Sequence, residues 1–153
     1  MRIDTLEVLL REHPFFRGLD EPDIEFIAGC GHNVVFESGA YLFREGEEAN
    51  QLFIVRRGRV ALEIDVPGRG LVVIDTGGEG EVIGFSWLFP PYRYQFDARA
   101  IEPVGAVALD GVCLRGKCEE DSKLGYELMK RFASILLRRM QSARLRLIDV
   151  YRP

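Results

Sequence analysis

The spacing of hydrophobic residues changes twice along the chain. Over residues 4–12 apolar side chains recur at helical spacing, with Leu6, Leu9 and Leu10 on one side. This predicts a short helix that ends at His13-Pro14, because proline disfavours a helical residue before it. A second short helix is predicted from Asp20, which can cap it, to about Ala28, with Pro22 near its first turn and Ile24 and Ile27 facing inward. Gly29 and Gly31 then break the pattern.

From Asn33 to Asp110 the pattern becomes that of short strands. β-rich runs at 33–36, 41–43, 51–56, 59–66, 71–75, 81–84, 96–101 and 105–109 are separated by turn residues. Their spacing of roughly 8–12 residues suits a small barrel or sandwich. Pro67-Gly68-Arg69-Gly70 reads as a hairpin tip. Gly39, Gly46 and Gly58 fall where tight turns between strands need a positive φ or no side chain. Leu42, Phe43, Leu52, Ile54, Val55 and Val60 are expected to alternate towards a core. The absence of a βαβ rhythm argues against a doubly wound nucleotide fold.

After Asp110 the pattern is helical. A short helix at about 111–119 leads through Glu119-Glu120-Asp121 into a long helix from about Ser122 to Val150. Leu124, Leu128, Phe132 and Ile135 share one face, which is expected to pack on the β unit. Met129, Leu136, Ala143 and Val150 recur every seven residues, and Ala133, Met140 and Leu147 recur every seven between them. These are the alternating seam positions of a coiled coil, and the two alanines would let backbones approach closely. The pattern predicts a homodimer helix. The alternative is one thick helix buried on two sides of a monomer.

The chain has 153 residues, 47% apolar and 29% charged, which is a globular composition. It is long enough for one domain with a real core, expected to be a single unit over 1–153: N-terminal helices at 1–32, a roll at 33–110 and C-terminal helices at 111–153. No apolar run reaches the ~20 residues of a membrane span, and the first residues carry acids and no small-residue cleavage site. Three cysteines cannot all pair internally, so a reduced, cytoplasmic setting is expected. Charge is divided unevenly: residues 1–114 carry 10 basic and 19 acidic side chains, residues 115–153 carry 10 and 5. Lys130, Arg131, Arg138, Arg139, Arg144 and Arg146 lie on the long helix, where a solvated face explains them. Reading DNA would need a recognition helix, and none follows before Pro153, so nucleic acid is not expected as a partner without an added domain.

Residues 36–60 read FESGAYLFREGEEANQLFIVRRGRV. Gly39, Leu42-Phe43, Gly46-Glu47, Ala49, the apolar strand 52–55 and Gly58-Arg59-Val60 resemble the β-roll of cyclic nucleotide-binding domains, as in catabolite activator proteins and kinase regulatory subunits. The resemblance covers nearly the whole chain. It implies an α+β fold: an antiparallel, jelly-roll-like eight-stranded β-roll with short N-terminal helices and a long C-terminal dimer helix. It also implies a phosphate-binding cassette, where a Gly-Glu pair opens a short helix. There the glutamate holds the ribose hydroxyl, an arginine about ten residues on pairs with the cyclic phosphate, and backbone N–H groups assist.

In this chain the cassette is GEVIGFSWLFPPYRYQFDARA, residues 80–100. Gly84 matches the cassette glycine, Phe85 falls at the glutamate position, and Tyr94, beside Arg93, falls at the arginine position. Arg99-Ala100 matches the strand after the cassette. Pro90-Pro91 would stop or reshape the short helix. Where activators contact the base from the long helix with hydroxyl residues, this chain has about Ala143 and Arg144. Losing the carboxylate–ribose bond and the phosphate pair would cost several kcal/mol together. The candidate ligand residues are Gly84, Phe85, Ser86, Trp87, Arg93, Tyr94, Gln95 and Arg144. Phe85, Trp87, Phe89, Tyr92 and Tyr94 make the cassette aromatic: it receives a flat or apolar ligand, or it fills its own pocket.

Other chemistry is sparse. Cys30-x-His32 and Cys113-x4-Cys118 suggest a metal set, but Cys113 and Cys118 lie about 140° apart around a helix and do not converge. Buried small hydrophobes account for the thiols. Cupin-type metal sites need clustered histidines, and only His13 and His32 exist; His13 before Pro14 suits a structural role. No G-x-S-x-G, P-loop or G-x-G-x-x-G occurs, and Gly77-Gly78-Glu79-Gly80-Glu81 reads as a loop. Together with this sparseness, the resemblance implies a non-enzymatic regulatory or sensor module that needs no cofactor, with cyclic AMP, cyclic GMP or another small molecule as ligand, a homodimer, and an effector protein as partner. A ligand-free interaction or scaffold domain and a truncated activator-type transcription regulator are the alternatives.

Overall fold

The computed structural model of the protein describes residues 3–151. The chain divides into two compact units, Met1–Gly116 and Lys117–Pro153.

In the first unit, α1 (Ile3–Glu12) and α2 (Glu21–Gly29) precede the strands. Leu6 and Leu10 are buried and Leu9 half-buried, as the spacing predicted. His13 ends α1 and bridges two segments: its Nδ1 accepts from the Phe15 N–H at 3.1 Å, so its Nε2–H donates to the Gly80 carbonyl at 2.9 Å. Asp20 stands at the N-cap of α2 in an extended conformation but makes no side-chain capping bond.

Eight strands follow: β1 (Gly31–Phe36), β2 (Tyr41–Phe43), β3 (Gln51–Arg57), β4 (Val60–Val66), β5 (Gly70–Gly77), β6 (Val82–Ile83), β7 (Asp97–Ala100) and β8 (Val104–Asp110). They form two antiparallel four-stranded sheets, β1-β8-β3-β6 and β2-β7-β4-β5. This is the expected roll. The predicted alternation fails at β3, where Leu52, Phe53, Ile54 and Val55 are all buried, and Leu42 is only half-buried. An interior strand covered on both faces has no solvent side to mark with polar residues. The turn glycines behave as predicted: Gly58 has φ +87°, and a Cβ there would run into the Pro103 carbonyl oxygen.

β8 passes directly into α3 (Gly111–Glu120), whose first turn is capped by Asp110: its Oδ1 accepts from Val112 N at 2.9 Å and Cys113 N at 3.1 Å.

In the second unit, α4 (Ser122–Val150) starts at Asp121, whose Oδ1 accepts from Leu124 N at 3.2 Å. Leu124, Leu128, Phe132 and Ile135 are buried. The predicted seam residues Met129, Ala133, Leu136, Met140, Ala143, Leu147 and Val150 are all exposed on the single chain, Val150 to 74%. No helix among the described residues is long and apolar enough to cross a membrane.

Candidate functional site

The cassette begins where β6 stops. Gly84 adopts φ 88° and ψ 48°, a left-handed conformation that favours glycine. Space gives a second reason for glycine: a Cβ would lie 3.0 Å from Phe43 Cε2 and 3.4 Å from Tyr94 Cε1. Phe85–Leu88 then form a single 3-10 turn. Trp87 within it is fully buried, whereas Phe85 and Ser86 are partly exposed and Ser86 O accepts from Phe89 N at 3.2 Å. Pro90-Pro91 carries a cis bond and Tyr92 has φ 57°. The chain turns back here, with Tyr92 N donating to Phe89 O at 2.8 Å.

The returning segment is laced to the β2–β3 turn. Ala49 N donates to Tyr92 O at 2.8 Å, Tyr94 N to Glu47 O at 3.0 Å, and Gly46 N to Tyr94 O at 2.9 Å. This places Tyr94 inside the roll, 5% exposed. Its hydroxyl donates to the Gln51 carbonyl at 2.7 Å and accepts from the Gln51 N–H at 3.1 Å. Its ring stacks on Phe43, with centroids 3.8 Å apart. Burial pushes the Tyr94 phenol up to about 12.

Every arginine around the cassette is held by the protein itself. Arg93 is exposed and donates from Nη1 to the Gly46 carbonyl at 2.9 Å, and Gln95 Nε2 donates to the Arg93 carbonyl at 2.9 Å. Arg99 makes a bidentate pair with buried Glu63, both bonds 2.9 Å. Arg115 donates to the Trp87 carbonyl at 2.6 Å, with its guanidinium 4.0 Å above the Tyr92 ring. Trp87 also lies against the start of α3: a Cβ on Gly111 would come within 2.6 Å of Trp87 Cγ. The cassette turn and the first two turns of α3 are thus one packed joint. Arg144 is an exposed position of α4 in the other unit.

A cleft of about 880 Å³ opens over the stacked pair. Phe43 and Tyr94 line it together with Glu47, Glu48, Asp110 and Cys30, and its lining contains no lysine or arginine. Glu47 Oε1 accepts from Arg44 N at 2.7 Å. Cys30 and Cys113 meet at the cleft wall, Sγ to Sγ 2.9 Å. Burial and the contact with Cys113 push the Cys30 thiol up to about 12, and burial pushes Cys118 up to about 11.

The structure brings Gly84 and Tyr94 together, with Phe85, Ser86 and Trp87 on the turn between them. Sequence reasoning missed Phe43 as the partner of Tyr94, and it missed the thiol contact. The signal for the second was the pairing of β1 with β8, which sets Gly31 opposite Leu109 and brings the flanking cysteines together.

The sequence profile of the family described as cyclic nucleotide-binding domain matches residues 33–121. A cyclic nucleotide-gated ion channel of Arabidopsis thaliana is 34% identical over 61 residues, 40% of this chain and 9% of the channel. The CRP-like cAMP-activated global transcriptional regulator of Mycobacterium tuberculosis is 23% identical over 145 residues, 95% of this chain and 63% of the regulator. The chain therefore spans less than two thirds of these relatives. A solved Geobacter metallireducens protein assigned as cyclic nucleotide-binding is 29% identical with a TM-score of 0.78, covering 92% of this chain and 98% of that one.

Proposed function

We infer what the site does from one premise: the chain belongs to the cyclic nucleotide-binding domain family. We propose that it is a homodimeric regulatory module whose cassette is closed by its own aromatic side chains, and that it acts on an effector protein through its long helix. The observation that carries this reading is Tyr94. The family resemblance, with one residue deleted in the loop, sets it at the phosphate-pairing arginine, and both its ring and its hydroxyl are engaged inside the roll. Phe85 cannot accept a ribose hydroxyl, and Arg93, Arg99 and Arg115 already serve protein groups. A cyclic phosphate would have to be desolvated without a compensating ion pair, at a cost of several kcal/mol. The exposed heptad stripe on α4 supports the dimer, and the packing of Trp87 on Gly111 and Arg115 supports a mechanical link from cassette to α3.

Thermal melting against saturating cyclic AMP and cyclic GMP tests the closed cassette. A ligand at 100 times its dissociation constant adds about 2.7 kcal/mol, a shift of several degrees. No shift is expected. A shift with either nucleotide would overturn the reading.

A second reading rests on the cleft. A small molecule without negative charge could lie on the Phe43–Tyr94 floor and bias the helices as an orthodox ligand would. Melting against a panel of neutral and cationic metabolites separates the two readings.

A further inference from the structure

The thiols of Cys30 and Cys113 are 83 residues apart in sequence and 2.9 Å apart in space. Their backbones are fixed on both sides. Asp110 N donates to the Cys30 carbonyl at 2.9 Å, Asp110 Oδ1 holds Cys113 N at 3.1 Å, and β1 pairs with β8 from Gly31↔Leu109 onward. A disulfide bond of about 2.05 Å therefore needs the two sulfurs to close by less than 1 Å.

We propose that Cys30 and Cys113 form a reversible intramolecular disulfide by exchange with a low-molecular-weight disulfide such as oxidised glutathione. One cysteine thiolate attacks a sulfur of the small disulfide, forming a mixed disulfide and expelling one small thiolate. The second cysteine thiolate attacks the protein sulfur of that mixed disulfide and expels the other. Two protein thiols are oxidised by two electrons, one small disulfide is reduced to two thiols, and the two protons lost by the cysteines end on those thiols.

The bond would staple the start of β1 to the first turn of α3, the turn that carries Gly111 against Trp87. It would also stiffen the cleft wall lined by Cys30 and Asp110. The Cys30 thiol is protonated at rest, since burial and the contact with Cys113 hold it near 12. Exchange through the Cys30 thiolate therefore quickens as pH rises. Cys118 lies about 140° further around α3 and has no part in this exchange. None of this depends on whether the cassette takes a ligand.

The test uses the whole chain. It is equilibrated at mildly alkaline pH with oxidised glutathione, quenched in acid, alkylated and mapped by mass spectrometry. The expected product has lost two hydrogens, carries no glutathione, joins residue 30 to residue 113, leaves Cys118 alkylated, reverts with dithiothreitol and melts several degrees higher than the reduced protein. Cys118→Ser should give the same product, and Cys113→Ser should stop at a glutathione adduct. A stable glutathione adduct on the unmodified chain, a 113–118 link, a link between chains, three thiols that stay reduced, or an oxidised form that melts lower would each overturn the proposal.

Discussion

The ring of Tyr94 lies on the ring of Phe43, centroids 3.8 Å apart and planes 9° from parallel, while its hydroxyl bonds both the N–H and the carbonyl of Gln51. One side chain thus closes β2, β3 and the cassette together. Tyr94→Phe keeps the stack and leaves two backbone groups of Gln51 without that partner, so it should cost about 1–3 kcal/mol. Tyr94→Ala also removes the ring and should cost about 3–5 kcal/mol. Urea unfolding of the three proteins checks the order. A Phe variant as stable as the parent would show that the hydroxyl contributes nothing.

Most of the fold was legible because turns and periods are local signals. The predicted long helix and the observed one share both ends, Ser122 and Val150. The glycines at 39, 46 and 58 stand at positive φ where turns were expected. What stayed hidden depends on contacts between distant segments. Nothing near Tyr94 in sequence announces Phe43, and a tyrosine at an arginine position reads equally as a ligand contact or as a plug. Cys30 and Cys113 each looked like a small buried hydrophobe until strand pairing set them side by side.

If the cassette is closed only by its substitutions, restoring the family residues should reopen it. Phe85→Glu with Tyr94→Arg supplies a carboxylate after Gly84 and a guanidinium at the phosphate position. The double variant should gain a melting shift with cyclic AMP or cyclic GMP that the parent lacks, at some loss of intrinsic stability from the missing stack. Calorimetric titration would confirm the binding. A folded double variant that binds neither nucleotide would show that the closed pocket depends on more than these two positions.

Stability should fall at alkaline pH in a way these groups specify. Tyr94 is raised from 10.0 to about 12, and Cys30 and Cys118 from 9.0 to about 12 and about 11. Each group binds its proton more tightly folded than unfolded, so its contribution is present below the unfolded value and lost as pH climbs through the folded one. Unfolding free energy should therefore decline between about pH 9 and 12. Cys30→Ala should flatten the start of that decline, and Tyr94→Phe its later part. A parent profile flat over this range would refute the account.

Gly111 tests the joint between the cassette and α3. A methyl group there would lie 2.6 Å from Trp87 Cγ and 2.7 Å from its Cβ, and Trp87 is fully buried. The tryptophan must move, and it carries the 3-10 turn with it. Gly111→Ala should destabilise by about 1–3 kcal/mol although alanine is the better helix former. Trp87 is the only tryptophan, so its fluorescence reports the displacement directly. A gain in stability with an unchanged emission spectrum would mean that the joint is looser than the geometry implies.

The dimer proposed for α4 makes a charge prediction as well as an apolar one. With Ala133, Met140 and Leu147 on one set of seam positions and Met129, Leu136, Ala143 and Val150 on the other, Arg139 precedes the seam at Met140 and Arg144 follows it at Ala143. In a parallel pair these flanking positions face each other across the two helices, so Arg139 of each chain approaches Arg144 of the other, twice by symmetry. Like charges there oppose association. Added salt should therefore tighten the parent dimer. Arg144→Glu turns both contacts into opposite-charge pairs worth about 0.2–1 kcal/mol each, so its dissociation constant should fall severalfold, and the gain should shrink in salt. Met140→Asp, which sets a charge in the seam itself, should instead leave monomers. Sedimentation equilibrium reads all three. An Arg144→Glu dimer weaker than the parent would exclude the parallel seam, and an unaffected Met140→Asp dimer would place the interface elsewhere.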